Sequence, residues 1–224
     1  MKLYFHPMST TSRIVWLFVS DAGIPVEEKI VDLFTGEHMK EPFAKLNPNK
    51  MVPVIDDDGF ILTESATILR YLADKTNSPA YPKDLKARAK INETMDWFNS
   101  NLYRDYGYGL VYPQVFPAHK RPSDEFQKGV LAWAKERSAG WLKVLNDSII
   151  GPKHRYLLGD NITIADYFGT GILTCGEVVG IDFKSYPNVR RWIDQMKARP
   201  SYEKVFGPFN GWVGSMKDKS FEIV

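Results

Sequence analysis

The sequence predicts a small α/β domain followed by an all-helical one. Three observations predict it. Short β-like runs alternate with helical patterns through the first third of the chain. The turn-rich stretch Thr76-Asn77-Ser78-Pro79-Ala80-Tyr81-Pro82 then interrupts them. Beyond it, every long apolar pattern has helical spacing. The expected division is therefore residues 1–76, a linker at 77–83, and residues 84–224.

In order along the chain, Leu3 to Phe5 reads as a first strand. Arg13 to Ala22 reads as a helix, stopped by Gly23, which suits the left-handed position just past a helix end. Val26 to Val31 is a second strand, and residues 36–46 are a short helix or turn-rich segment. Val52 to Ile55 and Phe60 to Leu62 are short apolar runs flanking Asp56-Asp57-Asp58-Gly59, and Asp-Gly between such runs is a hairpin signal. Residues 64–75 return to a helical pattern. The order is βαβ and then ββα, which implies a mixed sheet.

The second domain has four marked helices. Ile91, Met95, Phe98 and Leu102 form the first stripe. Val130, Ala134, Trp141, Leu145 and Ile149 form the second. Ile164, Phe168, Ile172, Cys175 and Val179 form the third. Val189, Trp192, Ile193 and Met196 form the fourth, ended by Pro200. Phe209 to Val224 reads as a tail rich in glycine and aromatics, covering the site or packing elsewhere.

Composition narrows the function. Charged residues make up 25% of the chain and the formal net charge is only +2, so no polyanion-binding signature is present and nucleic acid is not an expected partner. Cys175 is the only cysteine, which excludes an internal disulfide and any zinc site built on several cysteines; no metal is expected. The apolar run Ile14 to Val19 is far short of the roughly 20 residues of a membrane span. A cytoplasmic protein without a membrane partner is expected.

Three strings carry chemistry. In Asn47-Pro48-Asn49-Lys50-Met51-Val52-Pro53-Val54-Ile55, Pro53 cannot donate to a sheet ladder. It is either an edge-strand proline or a cis-proline that exposes the backbone of Val52 to a peptide-like ligand. In Leu62-Thr63-Glu64-Ser65-Ala66-Thr67-Ile68-Leu69, a helix opens directly after a strand. Its free N–H groups and dipole suit an anion, or Glu64 and Ser65 simply cap it. In His6-Pro7-Met8-Ser9-Thr10-Thr11-Ser12-Arg13, the hydroxyls are ordinary helix caps, or one of them donates to an anion in a cleft.

Together these strings resemble the thiol-binding domain of cytosolic glutathione transferases, and with the helical second half the resemblance covers essentially the whole chain. It is closest to the serine-type classes. The opening MKLYFHPMSTTSRIV is similar to the phi class, and IVDLFTGEHMKEPFAKLNPNKMVPV to phi and theta. Ile162-Thr163-Ile164-Ala165-Asp166 resembles the family's capping box, and its physics agrees. Thr163 stands at the cap with Asp166 three residues on, and Ile162 is placed as a staple.

The resemblance implies a thioredoxin-like first domain that binds glutathione as co-substrate. It implies that Ser9 hydrogen-bonds the glutathione sulfur, that the Val52 backbone pairs with the cysteinyl unit with Pro53 in cis, and that Glu64 and Ser65 hold the γ-glutamyl end. His38 and Lys50 are implied near the glycyl carboxylate. A small hydrophobic electrophile would sit against the second domain, with Trp97, Asn101, Arg104, Tyr106, Tyr108 and Trp212 as candidates. A homodimer is implied, with the helix at 64–75 and the first long helix near the two-fold axis. The implied reaction is detoxifying conjugation. The same thiolate would also serve a glutathione-dependent dehalogenase or peroxidase, and a non-catalytic glutathione-binding module is the third reading.

Ser9 has rivals in Thr10 and Ser12, if the loop is shifted, and in Tyr4. Cys175 lies on a core-like stripe and is expected to be an inert packing residue, which argues against glutathione-dependent thiol reduction.

Overall fold

The computed structural model describes residues 1–224. Four strands form one mixed sheet in the order β2-β1-β3-β4. They are β1 (Lys2–Phe5), β2 (Glu27–Ile30), β3 (Val54–Asp57) and β4 (Phe60–Leu62). β1 runs parallel to β2, with Phe5 opposite Ile30, and antiparallel to β3, with Tyr4 opposite Val54. β3 and β4 form the expected hairpin, and Asp58 and Gly59 at its tip both have positive φ, as a type I′ turn requires.

Two elements differ from their expected limits. Helix α1 (Thr10–Asp21) begins three residues earlier than its apolar pattern, because the Ser9 side chain accepts a hydrogen bond from the Ser12 N–H and caps it. β3 begins at Val54 and not at Val52, because Pro53 has no N–H to donate and its bond to Val52 is cis. The stretch 36–46 resolves into a turn of tight helix, Glu37–Met39, and the one-turn helix α2 (Phe43–Leu46). Helix α3 (Ser65–Lys75) closes the first unit. The result is a small thioredoxin-like α/β unit.

The remainder is helical. Helix α4 (Leu85–Trp97) continues through a widened π-helical stretch, Phe98–Val111, into α5 (Tyr112–Val115). Helix α6 (Asp124–Val144) is followed by a shorter widened stretch, Leu145–Ile150. Helices α7 (Ile164–Thr174), α8 (Pro187–Lys197) and α9 (Tyr202–Ser215) complete the chain. Much of the expected tail is therefore helix. Gly207, Pro208, Gly211 and Gly214 hide it from a propensity reading, but Tyr202, Val205, Phe206 and Phe209 are buried along one face, and that burial outweighs propensity. No helix is long and apolar enough to cross a membrane.

One continuous core joins the sheet layer to the helices. α1 packs on α7, and a side chain at Gly171 would collide with Ile14, so the glycine sets how closely the two helices approach. At the far end of α1, the buried Asp21 carboxylate accepts from Arg199 Nε at 2.7 Å, Ser201 N–H at 3.2 Å and Tyr167 OH at 3.3 Å.

The capping box opens α7 as the spacing predicts. The fully buried Asp166 carboxylate accepts from Thr163 N–H at 2.7 Å, Leu157 N–H at 2.9 Å and Trp192 Nε1 at 2.9 Å. Removing it strands several buried donors together. Asp166→Ala is expected to lower unfolding free energy by about 2–4 kcal/mol, read from the urea midpoint at unchanged slope.

Candidate active site

A cleft of about 330 Å³ opens between the sheet unit and the helices. One side is formed by Thr11, Asn47, Met51, Val52, Pro53, Thr63, Glu64, Ser65 and Ala66, the other by Asn99, Tyr103, Arg104, Tyr108 and Phe168. The three strings that stand apart in sequence thus meet at one place.

Their local geometry follows from the chain. Val52 is buried, its peptide bond to Pro53 is cis, and its carbonyl accepts from Thr11 Oγ1 at 3.1 Å. The loop before it is held by Asn47, whose side chain donates to the Met51 carbonyl at 2.7 Å and accepts from Asn49 N–H at 3.0 Å. Glu64 has φ of 67°, in the region that favours glycine, immediately ahead of α3. Ser65 is buried at the first position of α3, where backbone N–H groups lack helical acceptors.

Ser9 sits beside the cleft. Its Oγ accepts from Ser12 N–H at 3.3 Å and lies 3.3 Å from Thr11 Oγ1. Its rivals point elsewhere. Thr10 is buried and accepts from Tyr112 OH at 2.8 Å. Ser12 is fully buried and accepts from the His6 N–H. Tyr4 lines a different groove with Phe43 and Ile61. His38 and Lys50 are not on the cleft wall. His38 lies in the Glu37–Met39 turn with its Nδ1 buried and unpartnered, and Lys50 takes positive φ beside Met51.

Among the acceptor-side candidates, Arg104 and Tyr108 line the cleft. Arg104 is oriented by Asp105, which accepts from its Nε at 2.8 Å and Nη2 at 3.1 Å. Asp105 is itself buried and accepts from Trp141 Nε1 at 2.7 Å. Two candidates are corrected. Tyr106 is fully buried, and its hydroxyl donates to the Leu173 carbonyl at 2.9 Å. Trp97 faces away, packing edge-on against Trp141 and lining a separate groove with Ile149 and Leu157. Tyr106 stands four residues after Leu102 and continues the buried stripe of Ile91, Met95, Phe98 and Leu102. Asn101 is half-buried and off the wall, where Asn99 stands instead. Trp212 packs on Phe116 and Phe209, also off the wall.

Sequence reasoning did not single out Thr11, Asn47 or Thr63. Thr11 belongs to the hydroxyl run already singled out. Tyr103 is one of the closely spaced tyrosines, with Tyr106, Tyr108 and Tyr112, whose run in the sequence suggests an apolar cleft with polar edges; it lines the cleft, and its hydroxyl lies 2.6 Å from that of Tyr112.

Beneath the Ser9 turn lies Arg13, fully buried. Its Nη1 donates to the carbonyls of Met8 at 2.9 Å and Pro7 at 3.3 Å, and its guanidinium lies 3.7 Å from the centroid of the Phe209 ring. Burial pushes this group down to about 10. Cys175 is buried, and burial pushes its thiol up to about 12.

The comparisons fit this geometry. Residues 8–75 match the model of the glutathione S-transferase N-terminal domain, and residues 112–200 that of the C-terminal domain. A delta-class glutathione transferase of Nilaparvata lugens is 33% identical, with 96% of this chain and 98% of that one covered and a TM-score of 0.79. Human glutathione-S-transferase T1-1 is 31% identical over 98% of this chain and 91% of its own, with a TM-score of 0.81. The chain belongs to the glutathione S-transferase family. Human glutathione transferase theta-2, solved in complex with glutathione, is 25% identical, covers 99% and 92% of the two chains, and has a TM-score of 0.81.

In this glutathione transferase, the hydroxyls of Thr10, Tyr112 and Tyr103 join the start of α1 to the helical side of the cleft. Tyr112→Phe leaves the Thr10 and Tyr103 hydroxyls without their buried partner. An unfolding free energy lower by about 1–2 kcal/mol is expected in urea titration.

Proposed function

We propose that the protein activates the thiol of glutathione with Ser9 and delivers the thiolate to a small hydrophobic electrophile. One observation carries this reading: Val52-Pro53 and Glu64-Ser65 face one cleft beside the capping turn of Ser9, with Arg104 and Tyr108 opposite. In this reading the Val52 backbone pairs with the cysteinyl unit. The Glu64 carboxylate faces the ligand's ammonium, and Ser65 with the start of α3 faces its α-carboxylate. His38 and Lys50, in the neighbouring loops, serve the glycyl carboxylate.

The energetics suffice. A thiol of pKa about 8.5 is only a few per cent ionised at neutral pH. Lowering that value by about two needs roughly 2.7 kcal/mol of preferential thiolate stabilisation. A hydrogen bond to a charged group supplies about 1.5–3 kcal/mol, and the start of α1 adds about 0.3–1 kcal/mol. Ser9 therefore acts as a donor and stays protonated. The thiolate attacks an electrophilic carbon by addition or by halide displacement; sulfur and carbon form the new bond, and a displaced halide leaves with the electron pair.

The reading extends to a cytoplasmic homodimer with α3 and α4 near its axis, to a detoxifying role, and to a division between the two units at residues 77–83. Gel filtration is expected to give a dimer, and a monomer at all concentrations would contradict that part. Ser9→Ala is expected to fold and bind glutathione, yet lose most activity toward a chlorinated aromatic acceptor. The pKa of bound glutathione, followed by thiolate absorbance, should rise. An unchanged titration would sink the assignment of Ser9.

A further inference from the structure

Thr11 has a place that neither the spacing nor the Ser9 reading explains. Of the four consecutive hydroxyl residues, it alone lies on the cleft wall. Thr10 is bonded to Tyr112, and Ser12 is fully buried. The Thr11 hydroxyl is 3.3 Å from the Ser9 hydroxyl, and its proton is donated to the Val52 carbonyl at 3.1 Å.

That carbonyl is the group that the proposed glutathione pose gives to the ligand's own amide N–H. When the ligand's amide donates to it, the Thr11 proton is no longer required there. A hydroxyl hydrogen turns about its C–O bond without displacing the oxygen. Ser9 Oγ meanwhile keeps the N–H of Ser12 as its donor, which leaves its own proton free for the cleft. The two oxygens then form a fork beside the position of the sulfur.

We propose that Thr11 is a second catalytic hydroxyl, released from the Val52 carbonyl by the ligand's amide and turned to donate, with Ser9, to the glutathione sulfur. This rests on the Ser9 reading given above. It makes thiolate formation respond to correct seating of the peptide, since the Thr11 hydroxyl leaves the Val52 carbonyl without stranding it once the ligand's amide donates there. No bond to carbon or sulfur is made or broken in the exchange. One hydrogen bond to an oxygen is replaced by another, and one donor is added to the anion.

The test uses the full-length protein with glutathione as the probe. Thr11→Val keeps the shape and removes the hydroxyl; Thr11→Ser keeps the hydroxyl; Ser9→Ala is the reference. The pKa of bound glutathione is read from thiolate absorbance, and affinity from calorimetry. Thr11→Val is expected to raise that pKa by about one, from about 6.5 to about 7.5, leaving about threefold less thiolate at neutral pH and a similarly lower kcat toward a chlorinated aromatic acceptor. Affinity should change by less than about threefold, because the ligand's amide already satisfies Val52. Thr11→Ser should behave like the parent.

A pKa unmoved in Thr11→Val but raised in Ser9→Ala would overturn the role of Thr11 and leave that of Ser9 standing. A parent protein that does not bind glutathione would overturn both. Should Thr11→Val not fold, Thr11→Ala carries the same test.

Discussion

The buried Arg13 guanidinium holds the turn on which the site depends. Residues 6–9 must leave the sheet at β1 and enter α1 with Ser9 at the cap, and two carbonyls of that turn, Pro7 and Met8, are tied to one arginine nitrogen. A charge taken fully out of water is costly. Here the carbonyls and the face of Phe209 offset part of that cost, while Nε and Nη2 find no partner. Phe209 belongs to α9 and Thr10 is bonded to Tyr112 of α5. The turn is thus fixed by its own helix and by two segments far along the chain. A serine at a helix start is common; a serine whose turn is anchored from three directions is preorganised for one geometry.

The same arrangement explains where the reactive sulfur comes from. Cys175 lies in the core between α7 and the following turn, and burial raises its thiol far above neutrality, so it does not ionise there. In the proposed reading, the reactive sulfur arrives from outside, on glutathione seated in the cleft beside the Ser9 turn. Its two walls divide the work between the units. The sheet side presents backbone and small polar groups suited to a peptide, and the helical side presents Arg104 and aromatic rings suited to a second molecule.

Much of this was legible in the sequence because it rests on local rules. Asp58-Gly59 announced the hairpin, Thr163 and Asp166 announced the start of α7, and the residues around Pro53 and Glu64 stood out because their chemistry disagrees with plain strand or helix. The misses have physical causes too. α9 was hidden because its glycines and Pro208 oppose helix formation, and only contacts with the rest of the fold overcome them. The resemblance offered Trp97 and Tyr106 for the acceptor side, but Tyr106 continues the buried stripe of Ile91, Met95, Phe98 and Leu102, and Trp97 packs against Trp141 on another side of the helix. Thr11 could be told from Thr10 and Ser12 only once the α1 cap was known, since its direction follows from where the helix begins.

The most direct measurement is a crystal structure of the protein with glutathione bound. The account predicts the sulfur within hydrogen-bonding reach of Ser9 Oγ, the ligand's peptide paired with the backbone of Val52, and its γ-glutamyl carboxylate at the start of α3. Glutathione seated elsewhere, or in this cleft with its sulfur turned away from Ser9 toward the helical wall, would contradict it.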